Sequence, residues 1–354
     1  MRSRPLVVEG KPVTHALVCI TAFASNNARR VAILREVLST VAEWQLRTHT
    51  VAITQDKELL LSSLGEDAAG ALLQQIEETR PREKHMLAWA HRSVIERARR
   101  SKTYQLFLYL EDDIKLSWAA LQAWALDEAL LQRAFGRGLL HRGFFRFEQC
   151  GKGLLSAPTI CCFDPDACSF SRAAGSALLS RGIERWQCKV SVRGRRFVGL
   201  PNPYHASWVM GPAQLERFVH SAHWHKSTGR VPGGVREAAA AGDAYLSIAS
   251  ARNRSELSDC STTSLVPYTL SNESGAIPRL DHAAGVQHLG QNYGAKLHGN
   301  VVSVDDCIRG GVGRLVAPLE VGSWRTGIEC ALLLAVVAAL CCVVGVRRRS
   351  CYPV

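Results

Sequence analysis

The sequence predicts an α/β fold in which helices flank a mostly parallel central sheet, followed by a single transmembrane helix near the C-terminus. Three observations support this prediction. Strand-like and helix-like segments alternate through residues 1–135, one strand-like segment ends in three consecutive carboxylates, and a long apolar run occupies residues 328–346. Such alternation is typical of right-handed crossover units, which build parallel sheets.

The opening segments have the pattern of one crossover unit. Residues 16–23 form a short, continuous apolar run, which predicts a buried strand. Asn26 and Asn27 have the residue type that caps the helix that follows. Residues 48–54 predict the second strand. The apolar positions of the intervening helix recur at helical spacing: Val31, Leu34, Val37, Leu38, Val41 and Trp44.

Further elements are assigned from the same periodicities. The predicted helical segments are 59–79, 85–100, 118–135, 214–221 and 236–252. The less regular segments are 136–196, which is rich in Gly, Cys and Arg, 198–210, a strand with turn residues, and 265–301, which is rich in loops.

Residues 106–114 are the hardest to explain by packing alone. Their sequence is Leu-Phe-Leu-Tyr-Leu-Glu-Asp-Asp-Ile. A buried strand is rigid, and its carboxyl end lies where open α/β sheets bind ligands, so carboxylates there can hold a hard divalent cation. The alternative is an acidic helix cap, because Asp113 shortly precedes a predicted helix.

Composition narrows the class of protein. The chain of 354 residues is 47% apolar and 21% charged, which excludes a disordered chain and suffices for one large or two smaller domains. Its net charge of +12 favours a phosphorylated substrate, an anionic membrane or nucleic acid as a partner. The basic residues form no stripe interleaved with aromatic residues, so nucleic acid is not expected.

Residues 328–346 predict the membrane span, because only Glu329 and Gly345 interrupt an apolar run that three arginines follow. Residues 310–327 are then a linker and 347–354 a short basic tail. The short span, rich in Ala, Val and Cys, favours the thinner membranes of the Golgi or endoplasmic reticulum.

The sequence does not decide which side of the membrane the body of the protein faces. The arginines after the span predict a cytoplasmic tail and a lumenal body. Residues 1–14 lack the pattern of a signal peptide, so the body either faces the cytosol behind a tail anchor or has a leader upstream of this sequence. Sequons at Asn253 and Asn272 favour the lumen. Five cysteines between Cys150 and Cys188 fit lumenal disulfides, or a zinc site that lacks paired Cys-x-x-Cys knuckles.

The arrangement resembles the GT-A glycosyltransferases of the nucleotide-diphospho-sugar transferase superfamily. Three segments carry the resemblance: the opening strand 17–23, residues 84–92 ahead of a helix, and above all Tyr109-Leu110-Glu111-Asp112-Asp113-Ile114. The acidic triplet resembles the DXD metal motif of the family, although Glu111 stands in the first acidic place. The resemblance extends over residues 1–309 and implies a donor half of about 1–135 and an acceptor half of about 136–309.

The resemblance implies a Mn²⁺ or Mg²⁺ ion held by Glu111, Asp113 and His288. Asp113 is the expected main ligand, and Glu111 acts directly or through water. His288 lies in a late loop, in which His282 and His298 are alternatives.

The nucleotide-sugar donor is expected to contact Thr21, Phe23, Lys84 and Asp112, with Asp112 on the ribose or on a neighbouring loop. The basic run 193–196 is a further source of cations for the diphosphate, or else a solvated loop.

The acceptor side is expected to supply the catalytic base. Asp243 is the candidate base and Glu237 the reserve, the alternative being acids on a helix surface. His205 or Trp208 could pack against a sugar face, although an aromatic strand is more often core.

The expected function is that of a membrane-anchored, divalent-metal-dependent glycosyltransferase acting on a glycan, glycoprotein or glycolipid acceptor. Two alternatives remain: a catalytically inactive GT-A-like binding or scaffold protein, and a metal-dependent nucleotidyltransferase or phosphohydrolase.

Overall fold

The computed structural model describes residues 5–80, 84–136, 140–144, 146–149, 160–162, 189–199, 206–221, 224, 264–271, 277–280 and 285–289. The predicted helix 236–252, the linker, the span and the tail lie outside these ranges. Within them, none of the helices combines the length and the apolar character needed to cross a membrane.

The chain forms mixed α/β structure. The strands are β1 (Val7–Val8), β2 (Lys11–Pro12), β3 (His15–Thr21), β4 (Arg47–Thr54), β5 (Gln75–Glu78), β6 (Leu106–Glu111), β7 (Ile114–Lys115), β8 (His141–Arg142), β9 (Arg146–Gln149), β10 (Ile160–Cys162), β11 (Lys189–Val192), β12 (Arg195–Gly199), β13 (Ser207–Met210), β14 (Ser264–Ser271), β15 (Ile277–Leu280) and β16 (Val286–His288). The helices are α1 (Ala28–Ala42), α2 (Lys57–Leu64), α3 (Glu66–Leu72), α4 (His91–Arg100), α5 (Trp118–Phe135) and α6 (Pro212–Val219), with a 3₁₀ helix at Lys84–Trp89.

The central sheet has the strand order β13-β6-β3-β4-β5. Strands β6, β3, β4 and β5 are parallel, and β13 runs antiparallel to β6 at the edge. From β3 the chain moves outward to β4 and β5 and then returns to place β6 on the other side of β3. The strand order therefore reverses between β3 and β6, and crevices that bind ligands in open α/β sheets lie at such switch points.

Two apolar layers cover the sheet, because alternate residues of its buried strands point to opposite faces. Val18 and Ile20 of β3 belong to the layer that includes α1 and α5, whereas Leu17 and Cys19 belong to the layer that includes α4 and α6. Asn27 caps α1 as predicted, since its side chain accepts hydrogen bonds from two backbone N–H groups of the first turn.

A single helix over 59–79 was the wrong prediction. Gly65, with φ of +79°, ends α2, and α3 ends before β5, whose residues continue the parallel sheet beside β4. The sequence of β5 contains only one apolar residue, Ile76, so its periodicity gave no strand signal.

The segments interpreted as irregular or loop-rich contain strands that pair over long distances. The strand β14 pairs antiparallel with β12 and β15, and β16 pairs antiparallel with β7 and parallel with β9. The predicted strand 198–210 is also wrong in part, because its two described ends belong to β12 and β13 in different sheets.

The N-terminal hairpin is docked on α6 through Glu9. Glu9 and Gly10 both have positive φ, which forms the tight turn between β1 and β2. The Glu9 carboxylate accepts hydrogen bonds from the backbone N–H groups of Ala213 and Gln214, at 3.0 and 3.2 Å. This carboxylate therefore satisfies free donors at the positive end of the helix.

Candidate functional site

The loop after β3 and the acidic end of β6 meet at the switch point of the sheet. Asp112 Oδ2 accepts a hydrogen bond from the backbone N–H of Phe23 at 3.0 Å and another from Arg30 Nη2 at 3.3 Å. Asp112 is buried, whereas the Arg30 side chain is half exposed. One carboxylate thus fixes both the loop after β3 and the first turn of α1.

Negative charge is concentrated at this end of β6. Burial and the charge of Asp113 together raise the pKa of Asp112 to about 7. The Arg30 guanidinium and the Phe23 N–H oppose this rise without cancelling it. A cation beside the two aspartates would relieve their repulsion, and carboxylate oxygens are the donor atoms that hard divalent cations prefer.

The pocket at Asp112 is almost closed. Phe23, Arg30, Val31 and Leu60 are among the residues around it, and its volume is about 10 Å³, the space of a single water. Between the two sequence-based expectations for Asp112, the structure favours contact with the neighbouring loop over contact with a ribose. A larger open groove of about 390 Å³ lies between α1 and α2. The acidic triplet is not among the residues that line this groove.

Glu111 is hydrogen-bonded on the face of the sheet covered by α4 and α6, opposite to the face covered by α1. The Tyr109 hydroxyl donates to Glu111 Oε1 at 3.3 Å and accepts from Thr21 Oγ1 at 3.4 Å. Thr21 is the neighbour of Glu111 in the pairing of β3 with β6. The first member of the triplet is therefore tied to the layer of α4 and α6, and the second to α1.

A turn at Asp112 and Asp113 separates β6 from β7. The alternation of side chains along an extended strand therefore does not decide on which side the Glu111 and Asp113 carboxylates lie. Glu111 ends a strand, whereas Asp113 is held by the turn.

The backbone of β16 comes directly beside this turn. His288 is paired with Ile114, and the backbone N–H of Leu289 donates to the carbonyl oxygen of Asp113 at 2.8 Å. The side chain of His288 is outside the described part of the structure. Among the described side chains, no group of three or more His, Cys, Asp and Glu residues is arranged to hold a metal.

Most of the remaining predicted residues lie wholly or partly outside the described part of the structure. Lys84 begins the 3₁₀ helix ahead of α4, and its side chain lies outside the described part, as do Asp243 and Glu237 entirely. Trp208 is fully buried against Phe218, so this aromatic residue belongs to the core and contacts no sugar.

The basic run 193–196 spans the turn between β11 and β12, formed by Arg193 and Gly194 at positive φ, and the first two residues of β12. Arg195 forms an ion pair with the buried carboxylate of Asp127 on α5. This arginine therefore anchors the hairpin to α5, whereas the sequence had predicted either a contact with phosphate or a solvated loop.

Arg30 lies beside the acidic triplet, although nothing in the sequence indicated that it would lie there. Its guanidinium lies 5.7 Å from the centre of the Phe23 ring and beside Asp112, with half of the side chain exposed. No sequence signal distinguished it from the other arginines of α1, because only the fold brings it to the acidic triplet.

Comparisons with known proteins add little to this geometry. No family model matches the chain, and no curated protein does. Among the solved structures that match part of it is the mannosyltransferase PcManGT from Pyrobaculum calidifontis in complex with GDP-Man and Mn²⁺. That likeness has a TM-score of 0.24 and 14% sequence identity, and it covers 39% of this chain and 35% of the other. The chain thus matches about a third of that protein, an extent that carries no argument about function.

Proposed function

We propose that this chain is a divalent-metal-dependent glycosyltransferase, which moves a sugar from a nucleotide-sugar donor to an acceptor hydroxyl. The observation that supports the proposal is the position of the acidic triplet. It follows β6 at the switch point of a mostly parallel sheet, and the carbonyl of Asp113 is hydrogen-bonded to the chain at the end of β16. The loop after β3, the end of β6 and the end of β16 thereby meet at the acidic triplet.

Mn²⁺ or Mg²⁺ suits the donor atoms available there. Glu111, Asp113 and His288 would hold the ion, two of them through hard carboxylate oxygens. When bound, the ion would act as a Lewis acid that neutralises charge on the departing nucleoside diphosphate. The raised pKa of Asp112 supports the fit, since burial and the charge of Asp113 both disfavour a second negative charge at this place.

The chain's own residues shape the donor side. Asp112 holds the loop after β3 through the Phe23 N–H, so this loop has a fixed backbone at the mouth of the crevice. Arg30 stands half exposed at the same place and is suited to bind phosphate oxygens. Asp243 as the base for the acceptor hydroxyl, with Glu237 in reserve, stays a prediction from the sequence.

The proposal includes an anchor at residues 328–346 and an acceptor that is a glycan, glycoprotein or glycolipid. Alkaline extraction of membranes tests the anchor: the full chain should stay in the pellet, and its release would contradict anchoring. Glycosidase sensitivity of the sequons at Asn253 and Asn272 would place the body in the lumen, whereas resistance is expected of a cytosolic body.

Donor hydrolysis is the direct test. Nucleotide sugars would be assayed with Mn²⁺ using wild type, Asp113→Asn and the matched control Asp67→Asn, an exposed acid on α3. We expect turnover of at least one donor by wild type and by the control, and a loss of about 100-fold or more in Asp113→Asn.

Two results would contradict the proposal. A wild type that neither binds nor turns over any donor would favour a catalytically inactive scaffold protein. Turnover of nucleoside triphosphates or phosphomonoesters, with none of nucleotide sugars, would favour a nucleotidyltransferase or phosphohydrolase.

A further inference from the structure

Tyr109 connects the interior of the sheet to the first carboxylate of the triplet. Its ring is fully buried in β6, and its hydroxyl donates to Glu111 Oε1 at 3.3 Å while accepting from Thr21 Oγ1 at 3.4 Å. Both contacts follow from strand geometry. Residues 109 and 111 are two apart and share a face of β6, and Thr21 is the parallel neighbour of Glu111.

The Tyr109 ring is also fixed from its flat side. His91, at the start of α4, stacks on it with ring centres 4.0 Å apart and planes 21° apart. His91 is itself buried, and its Nδ1 lies 2.6 Å from the carbonyl oxygen of Ala88. Because a carbonyl only accepts, this nitrogen carries the proton. The ring of Trp208 belongs to the same apolar layer as Tyr109, and its centre lies 5.5 Å from that of His91.

This environment leaves the Tyr109 hydroxyl little freedom. The ring rotates only if the stack with His91 opens, and the hydroxyl has a donor on one side and an acceptor on the other. Glu111, by contrast, is only partly buried at the end of its strand. A partly exposed carboxylate gains orientation from a buried, rigid partner, as carboxylates that bind metals usually do from their hydrogen-bonding neighbours.

We infer that Tyr109 is a positioning residue, whose hydroxyl holds the Glu111 carboxylate in the orientation that a divalent cation at the triplet requires, with His91 locking the ring. The inference rests on the metal dependence in the proposed function. Partners of this kind change metal affinity by about 10- to 100-fold when removed. The hydrogen bond to Glu111 is long for two oxygens, so we expect the lower end, about 10-fold.

The test compares Tyr109→Phe with Tyr104→Phe. Both remove one phenolic oxygen and keep the ring. Tyr104 precedes β6 at the opposite end of the strand, and its hydroxyl lies 2.7 Å from His49 Nδ1. Mn²⁺ affinity is measured by calorimetry on the full chain, and circular dichroism with thermal unfolding confirms that each variant folds.

We expect Tyr109→Phe to raise the dissociation constant for Mn²⁺ about 10-fold and Tyr104→Phe to leave it within about twofold of wild type. In donor hydrolysis, saturating Mn²⁺ should largely restore the rate of Tyr109→Phe, because only the metal affinity is altered. A merely structural tyrosine would not show this rescue.

Equal Mn²⁺ affinity in Tyr109→Phe and wild type would overturn the inference. So would equal weakening in both variants, because the loss would then come from general packing. A wild type that binds no Mn²⁺ would refute the metal dependence and the inference together. If wild type binds Mn²⁺ but acts on no nucleotide sugar, the proposed function fails, and the ratio of dissociation constants still decides the role of Tyr109.

Discussion

Replacing Asp112 with asparagine should stabilise the metal-free protein at alkaline pH. The Asp112 carboxyl has a pKa of about 7 in the folded chain, mainly because it is buried and secondly because Asp113 is charged, against 3.8 as its ordinary value. Folded protein therefore binds more protons than unfolded protein between these values, and its free energy of unfolding falls as pH rises through them. The asparagine side chain has the same shape and no charge to bury.

The magnitude follows from the two pKa values. One unit of pKa shift corresponds to about 1.4 kcal/mol, so burying Asp112 costs about 4 kcal/mol at pH 8, where it is mostly ionised, and about 1.7 kcal/mol at pH 5, where it must take up a proton on folding. The amide oxygen of an asparagine can still accept from the Phe23 N–H. The lost ion pair with the half-exposed Arg30 costs about 0 to 1 kcal/mol. The advantage of Asp112→Asn over wild type should therefore grow by roughly 2 to 3 kcal/mol from pH 5 to pH 8.

Urea unfolding with a metal chelator at several pH values measures this difference. Asp67→Asn is the control, since it removes an exposed acid and should show no such dependence on pH. Adding Mn²⁺ should raise the stability of wild type more than that of Asp112→Asn, because the cation offsets the crowded charge. An advantage of Asp112→Asn that stays constant or shrinks towards pH 8 would refute this explanation.

Three further predictions concern the framework around the site. Gly211→Ala should lose about 0.5 to 2 kcal/mol in urea unfolding, because its Cβ would lie 2.6 Å from Glu9 Oε1 and displace this carboxylate from the N–H groups of α6; unchanged stability would argue against this cap. Burial raises the pKa of Glu128, but His141 and other hydrogen-bond donors outweigh it, so the pKa of this carboxyl is lowered overall. Glu128→Gln should therefore lose about 1 to 3 kcal/mol of stability at pH 7 and less below about pH 4, which urea unfolding at both pH values would detect. Burial holds the pKa of His91 well below 6.5, so wild type should lose stability as pH falls below about 6.5, and His91→Phe should unfold with a weaker dependence there.

Much of the first 135 residues was predictable because its signals are local. The buried run of β3, the Asn27 cap of α1 and the amphipathic pattern of α5 each occupy consecutive residues. The predicted helix 118–135 coincides with α5. The strand β5 escaped notice because it is a polar edge strand with one apolar residue.

The second half depends on pairing between distant segments. The strand β14 pairs with β12 across about seventy residues, and β16 pairs with β7 across a longer interval. β16 is only three residues long, and Pro267 argues against a strand at β14, so a sequence window detects neither.

The strand that carries the acidic triplet was predicted from the sequence, but the contacts of the triplet were not. An acidic triplet after a buried strand identified the end of β6, but the turn at Asp112 and Asp113 could not be inferred from an extended pattern. Arg30 and Tyr109 resembled a surface arginine and a core tyrosine. Their contacts with the triplet appear only when the loop after β3, α1 and β6 are brought together.

The proposed function depends on whether the end of β6 presents a metal to a nucleotide sugar. A crystal structure with Mn²⁺ and a nucleoside diphosphate, with data collected at the manganese absorption edge, would locate both. We expect an anomalous peak within about 2.5 Å of a carboxylate oxygen of Asp113, with diphosphate oxygens on its other side. A peak far from the triplet, or a nucleotide bound without metal away from the crevice between β3 and β6, would contradict this mechanism.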